Sequence, residues 1–304
     1  MLPSRLLTCL TLVLLAMALA RPAAAASMSE YFNGYGDTSV LLANNTHSVD
    51  GLNGGTGWAT GWRRGNGGSA PDYDVYRPGL ALTSSTSGYS NAGNLTGATD
   101  GVAGATGLLL NRYSYRGTSA LTGTVWISFL YQADETNRGV QLALDTTDFG
   151  NTVPNRIRLN SQAGSGLNNR AGLYYNGTTT WSASAFALST THLVVARVIL
   201  DASGSNDQID LWVAPPSVTS VAAMGPATVS AAATADIFGS ALNYVSINIE
   251  ESGAVGQYID ALRVSNEAGD LGFNYVITGI IPEPGVLALL ALGGALILPR
   301  RARA

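Results

Sequence analysis

The segment TVWISFLYQ, residues 124–132, constrains this chain most. Val125, Ile127, Phe129 and Tyr131 fall on one side of an extended backbone, and Trp126, Ser128 and Leu130 fall on the other. That is the two-residue period of a strand and not the roughly 3.6-residue period of a helix. The same reading places strands at 140–144, 156–159, 172–175, 193–200, 209–213, 245–249 and 258–264. They recur roughly every 10 to 20 residues with turn residues between, and no long helical period interrupts them, so the pattern predicts an antiparallel sandwich. Residues 193–200 are apolar on both faces except at Arg197, which places that strand mid-sheet. Residues 217–235, rich in Ala, Ser, Thr and Val, read equally as loop or weak helix.

Ahead of these strands, residues 27–106 are glycine-rich. In DGLNGGTGWATGW, Trp58 and Trp62 stand among Gly54, Gly55, Gly57 and Gly61, which makes the stretch a loop. The order GGTGWATGW, TVWISFLYQ, LVVARVILD with DQIDLWVAP, and YIDALRVSN resembles the concanavalin A-like lectin/glucanase (LamG-like) jelly rolls over most of residues 30–270. The resemblance implies an all-β, two-sheet antiparallel jelly-roll sandwich of roughly 12 to 14 strands, with its N- and C-terminal strands paired. One departure is Ala214, where such sequences often carry Asn before Pro215.

Two terminal segments flank this domain. Residues 1–26 carry Arg5, an apolar stretch from Leu6 to Ala20 and the small residues Ala23 to Ala26, the pattern of a secretory signal peptide. Cleavage after Ala26 satisfies the Ala-x-Ala rule through Ala24, and cleavage after Ala24 is nearly as good. Cys9, the single cysteine, lies inside the apolar stretch, so its removal leaves no disulfide, zinc thiolate or cysteine nucleophile in the exported chain. Residues 279–304 hold Pro282, Glu283 and Pro284, then an apolar run of 14 residues from Gly285 to Leu298, then Arg300, Arg301 and Arg303.

The prolines lack amide donors and keep the preceding backbone extended, while the arginines prefer the cytoplasmic side. As a helix the apolar run rises about 21 Å against a hydrocarbon core of about 30 Å, a marginal span. This order of motif, apolar span and basic end resembles the PEP-CTERM sorting signal of Gram-negative bacteria that make exopolysaccharide. The resemblance implies export through the Sec translocon and transient C-terminal anchoring in the inner membrane by a single apolar helix. Removal of the tail by an exosortase-type membrane protease and delivery to the cell surface or extracellular matrix of a biofilm follow. A permanent tether, giving a membrane-held adhesion module, is the alternative.

Between residues 27 and 281 the chain keeps 11 arginines, no lysine and 19 acids, a net charge of about −8. That charge argues against nucleic acid and anionic membrane surfaces as partners. The polar, weakly charged surface suits a neutral polysaccharide.

Catalytic signatures are sparse. Glucanases on this fold place carboxylates at alternate positions of one strand, whereas Glu250 and Glu251 are adjacent and Asp207 and Asp210 differ in parity. His47 and His192 show no metal-ligand spacing, and there is no G-x-S-x-G elbow. Asp201, Ser203, Ser205 and Asp207 alternate as a calcium loop would, but no bidentate Glu closes it, and a polar hairpin accounts for the same residues. No cofactor is expected, with calcium as the one option. Asp260 reads as a structural acid bonding a loop. Trp58 and Trp62 are the candidates for glycan contact by stacking, their alternative role being to plug one end of the sandwich. The expected function is non-catalytic work at the surface or in the matrix with weak carbohydrate binding; a glycan-active enzyme is the rival.

Overall fold

The computed structural model describes residues 25–32, 53–64, 73–76, 80, 82, 86–89, 101–104, 112–134, 139–145, 156–159, 169–175, 178–201, 206–232, 241–249 and 257–280. Residues 1–24 of the signal peptide, the Pro-Glu-Pro tail with its arginines, His47, Ser203, Ser205, Glu250 and Glu251 lie outside them. Among the described residues no helix is long and apolar enough to cross a membrane.

The strands, in chain order, are β1 (Ser27–Glu30), β2 (Arg63–Arg64), β3 (Tyr73–Tyr76), β4 (Gly101–Gly104), β5 (Arg112–Leu121), β6 (Thr124–Ala133), β7 (Val140–Asp145) and β8 (Arg156–Leu159), followed by β9 (Arg170–Tyr175), β10 (Thr178–Ala185), β11 (His192–Ile199), β12 (Gln208–Val213), β13 (Val229–Ala232), β14 (Leu242–Ile249) and β15 (Gln257–Ser265). One helix, α1 (Asp270–Thr278), closes the described chain. An eight-stranded sheet runs β13-β12-β11-β6-β15-β4-β3, with β1 also paired to β15. A seven-stranded sheet runs β10-β9-β8-β7-β14-β5-β2, and every pairing in both sheets is antiparallel. The fold is a two-sheet antiparallel sandwich.

Alternation decides which side chains fill it. Val125, Ile127, Phe129 and Tyr131 join Val194, Ala196 and Val198 from one sheet and Leu142, Leu144, Ile157, Val245 and Ile247 from the other in a single buried core. Side chains of the opposite parity in the eight-stranded sheet form a second cluster: Trp126, Leu130, Leu193, Val195 and Trp212 pack under Phe273, Val276 and Ile277 of α1. The outer face of this sheet is therefore covered by the helix and by the segment carrying Val218 and Met224.

Residues 193–200 are mid-sheet as expected, with β11 between β12 and β6. Of residues 217–235, the described part, 217–232, is loop, one 3-10 turn (Ala222–Met224) and the edge strand β13. The short helix α1 was not legible, because nine residues give only two turns of pattern. Arg263 explains why it stays docked. Fully buried beneath the helix end, it donates to the carbonyls of Val276 (3.2 Å) and Ile277 (2.9 Å) and to the Tyr31 hydroxyl (3.0 Å). A cation thus meets the negative end of the helix dipole where carbonyls lack intrahelical partners.

Candidate functional site

The glycine-tryptophan loop is folded onto one end of the sandwich. Ser29 of β1 and Thr56 exchange backbone hydrogen bonds (3.0 and 2.9 Å). A Cβ on Gly55 or Gly57 would sit 2.2 Å from a β1 carbonyl oxygen, and both residues have positive φ, so only glycine allows that approach. Arg116 of β5 ties the loop down, donating to the carbonyls of Thr60 (2.8 Å) and Gly54 (2.8 Å), to the Asn53 amide oxygen (2.7 Å) and to the buried Glu30 carboxylate. Trp62, 1% exposed, donates to the same carboxylate (3.1 Å) and stacks on Phe32. Trp58 is half-buried, donates to the Ser29 carbonyl (2.9 Å) and has the Arg116 guanidinium 5.0 Å from its ring centre. Both indoles are engaged inside the molecule, with Trp62 enclosed and Trp58 keeping one part-exposed side.

The other candidates are placed plainly. Asp207 accepts the backbone N–H of Asp201 (2.8 Å), closing the β11–β12 hairpin, and among the described residues no group of three or more His, Cys, Asp or Glu is arranged to hold a metal. His192 is buried, its Nε2 donating to the Ala187 carbonyl (2.9 Å) and its ring edge-on to Phe186. Asp260 accepts from the Leu80 backbone (3.0 Å), the loop-bonding role expected of it. Ala214 adopts a φ of +49° while donating to the Leu193 carbonyl (2.8 Å), a left-handed conformation that Asn tolerates better than Ala.

A site the sequence did not single out lies on the outer face of the seven-stranded sheet. Since Val245 and Ile247 of β14 point into the core, Ser246 and Asn248 point outward. The register carries that face across the sheet: Ser246 beside Tyr115 and Ala143, Asn248 beside Gln141, Gln141 beside Arg158, Arg158 beside Gly172, and Gly172 beside Trp181. Tyr115 meets Tyr244 edge-on at 5.9 Å. The Arg158 guanidinium lies 4.7 Å from the centre of the Tyr174 ring. Gly172 has to be glycine, because a Cβ there would come within 2.6 Å of the Trp181 indole, which lies against the sheet at that point. Of the two consecutive tyrosines, Tyr174 is outward while Tyr175 packs against the core.

The centre of this face is polar, buried and unsatisfied. Ser246 is 2% and Asn248 3% exposed, and the Ser246 hydroxyl and both polar atoms of the Asn248 amide have no hydrogen-bond partner. An unpaired buried amide or hydroxyl costs about 1–3 kcal/mol. No carboxylate is among the side chains described on this face; β7 ends at Asp145, whose backbone registers with Tyr244. The signal was present in the sequence as V-S-I-N-I, V-Q-L-A-L and R-I-R-L, three strands alternating apolar with polar. Only the strand order shows that their polar halves form one surface.

No family model matches the chain, and no curated protein matches it. Solved structures do. A protein of unknown function from Shewanella oneidensis MR-1 is 14% identical with a TM-score of 0.41, over 87% of this chain and 94% of that one. The catalytic domain of a glycoside hydrolase family 131 protein from Coprinopsis cinerea is 14% identical with a TM-score of 0.41, over 79% and 92%. A Lotus tetragonolobus seed lectin is 10% identical with a TM-score of 0.36, over 62% and 96%. Scores and identities this low carry no argument about ligand or activity, which must come from the residues.

Proposed function

We propose that this is an exported, non-catalytic surface or matrix protein, sorted by a PEP-CTERM/exosortase system, that binds carbohydrate through the outer face of its seven-stranded sheet. The observation that carries the binding reading is the part-exposed group Arg158, Tyr174 and Trp181 on neighbouring strands, with the guanidinium 4.7 Å from the centre of the Tyr174 ring. Sugars offer C–H faces, which stack on aromatic rings such as those of Tyr174 and Trp181. On the opposite sheet, α1 packs in one cluster with the outward side chains Trp126, Leu130 and Ala261. Glycoside hydrolysis wants two carboxyl groups about 5–9.5 Å apart, and the side chains described on this face supply none.

Export and sorting rest on the signal peptide and on Pro282, Glu283, Pro284, Arg300, Arg301 and Arg303. Two measurements test the proposal. A glycan array with the full chain, Tyr174→Ala and Trp58→Ala should lose binding in the first variant and keep it in the second; the reverse would move the site to the glycine-tryptophan loop. Intact-mass analysis of the exported protein should show the arginine-terminated tail removed, and retention of Arg303 would support the permanent tether.

A further inference from the structure

Asn53 and Gly54 open the glycine-tryptophan loop, and an Asn-Gly dipeptide carries its own electrophile and nucleophile. The Asn53 carboxamide carbon is one ring closure away from the Gly54 nitrogen, and glycine sets no Cβ in the way of that approach. The same dipeptide occurs in the sequence at Asn33, Asn66 and Asn176. At position 53 the structure adds Arg116. Its Nη2 donates to the Asn53 Oδ1 (2.7 Å) and to the Gly54 carbonyl oxygen (2.8 Å). A guanidinium is thus aimed at the very oxygen on which negative charge develops when the amide carbon is attacked. Arg116 is buried and already held by the Thr60 carbonyl and the Glu30 carboxylate, so the donor is in place before the reaction begins. Asn53 is exposed, which gives water access to the same carbon.

We infer that Asn53 is a self-modifying site: it deamidates with Arg116 as the oxyanion donor, and the product is an ordinary aspartate facing that arginine. The Gly54 nitrogen loses its proton to solvent and bonds to the Asn53 Cγ. The Cγ–Nδ2 bond breaks, and that nitrogen takes up a proton and leaves as ammonia. Water then opens the five-membered imide. Addition at Cγ breaks the new bond to the Gly54 nitrogen and gives aspartate, whereas addition at the backbone carbonyl gives isoaspartate, with the chain rerouted through the side chain. Arg116 polarises the Cγ oxygen in both steps, which favours the aspartate exit. Isoaspartate would also lengthen the main chain just ahead of Gly55 and Gly57, which lie so close to β1 that a Cβ on either would come within 2.2 Å of a carbonyl oxygen. The new carboxylate replaces a neutral acceptor on Arg116, and a charge-assisted bond is roughly twice as strong as a neutral one. The folded chain thereby tightens its own loop clamp with water as the sole co-reactant.

The test incubates the full chain, folded in neutral buffer and unfolded in urea, and follows the four Asn-Gly positions by peptide mass spectrometry, with aspartate and isoaspartate separated by chromatography. Deamidation at position 53 should run about tenfold or more faster in the folded chain than in urea, since a hydrogen bond to a charged group is worth about that factor. Aspartate should be its main product when folded, and the isoaspartate share should rise in urea. Asn33, Asn66 and Asn176 in urea calibrate the rate of the bare dipeptide. Gly54→Ala should slow the reaction at position 53 in both states. Arg116→Lys should remove the folded-state advantage, and a cooperative urea transition would show that this variant folds. Should it fail to fold, the comparison of folded and unfolded states of the unaltered chain decides alone. A folded-state rate at position 53 equal to or below its rate in urea overturns the inference, because the arginine then shields the amide instead of activating it. Isoaspartate as the main folded-state product overturns it as well.

Discussion

Replacing the buried Arg116 with Met should destabilise the domain strongly. The guanidinium is 1% exposed and faces a Glu30 side chain that is fully buried. Removing one partner of a buried pair costs about 3–5 kcal/mol, because the other charge remains in low dielectric. Arg116 also lies 5.0 Å from the Trp58 ring and 5.6 Å from the Trp62 ring, contacts worth about 0.5–1 kcal/mol each. At about 2–4 °C per kcal/mol for a domain of this size, Tm should fall by about 6–20 °C. Glu30→Gln should cost less than Arg116→Met, since the arginine keeps the carbonyls of Thr60 and Gly54. Urea unfolding of both single variants and the double then gives a coupling energy, expected at about 2–3 kcal/mol. Simple additivity, within about 0.5 kcal/mol, would refute the claim that this pair fastens the glycine-tryptophan loop to the sandwich.

Three further outcomes follow from other parts of the structure. Ala214→Asn should raise stability by about 0.5–1 kcal/mol, read from the urea midpoint, because φ at that position is +49° and the Asn side chain bonds the local backbone in that region; a neutral or negative change would mean that the amide finds no such partner in this turn. Burial alone raises the Asp210 carboxyl, but hydrogen bonds from Ser230, Arg197 and Gln208 and the nearby guanidinium outweigh it and hold it below its ordinary 3.8. The stability it contributes is therefore present at and above that pH and is lost as pH falls through the folded-state value, so the gap in Tm between the parent and Asp210→Asn should close in acid. Burial pushes the Tyr89 hydroxyl up to about 12 from 10.0, so its contribution is complete below pH 10.0 and is lost on the way to about 12. Phenolate absorbance should show a late-titrating tyrosine that Tyr89→Phe removes, and titration of every tyrosine near pH 10.0 would contradict the burial.

What the sequence disclosed and what it withheld divides along contact range. The strand reading succeeded where alternation was apolar on at least one face, as in β6, β11 and β15, because burial imposes a two-residue period that survives in any neighbourhood. It missed β5, whose sequence RYSYRGTSAL hides a core-facing pattern under Arg116, a charged side chain that is buried only because Glu30, 86 positions away, neutralises it. The same gap hid the candidate site. Ser246, Gln141 and Arg158 are each an ordinary polar residue on a half-buried strand. They become neighbours only through the order β14-β7-β8, which depends on the pairing of β14 with β7, Asn248 standing opposite Gln141, 107 positions earlier.

The two faces of the sandwich are therefore not equivalent, and the position of α1 gives that difference a direction. The helix packs on the outer face of the eight-stranded sheet, its end fixed by Arg263 and by the Gly279 amide bonded to the Tyr275 carbonyl (2.7 Å). The described chain leaves from there at Ile280, which is exposed, just before Pro282 and the apolar run. A tail held in a membrane thus attaches to the side covered by α1, and the outer face of the seven-stranded sheet, with Arg158 and Tyr174, lies on the opposite side. Under the sorting proposal, the protein would be able to engage polymer outside the membrane while its own C-terminal segment is still being processed. A variant with a polymer-binding face but with α1 unpinned by Arg263→Ala should bind the same polysaccharide yet lose that fixed orientation, visible as faster proteolysis after Ser265 in the anchored protein. Equal protease resistance in the two would show that Arg263 does not set how the domain stands on its tail.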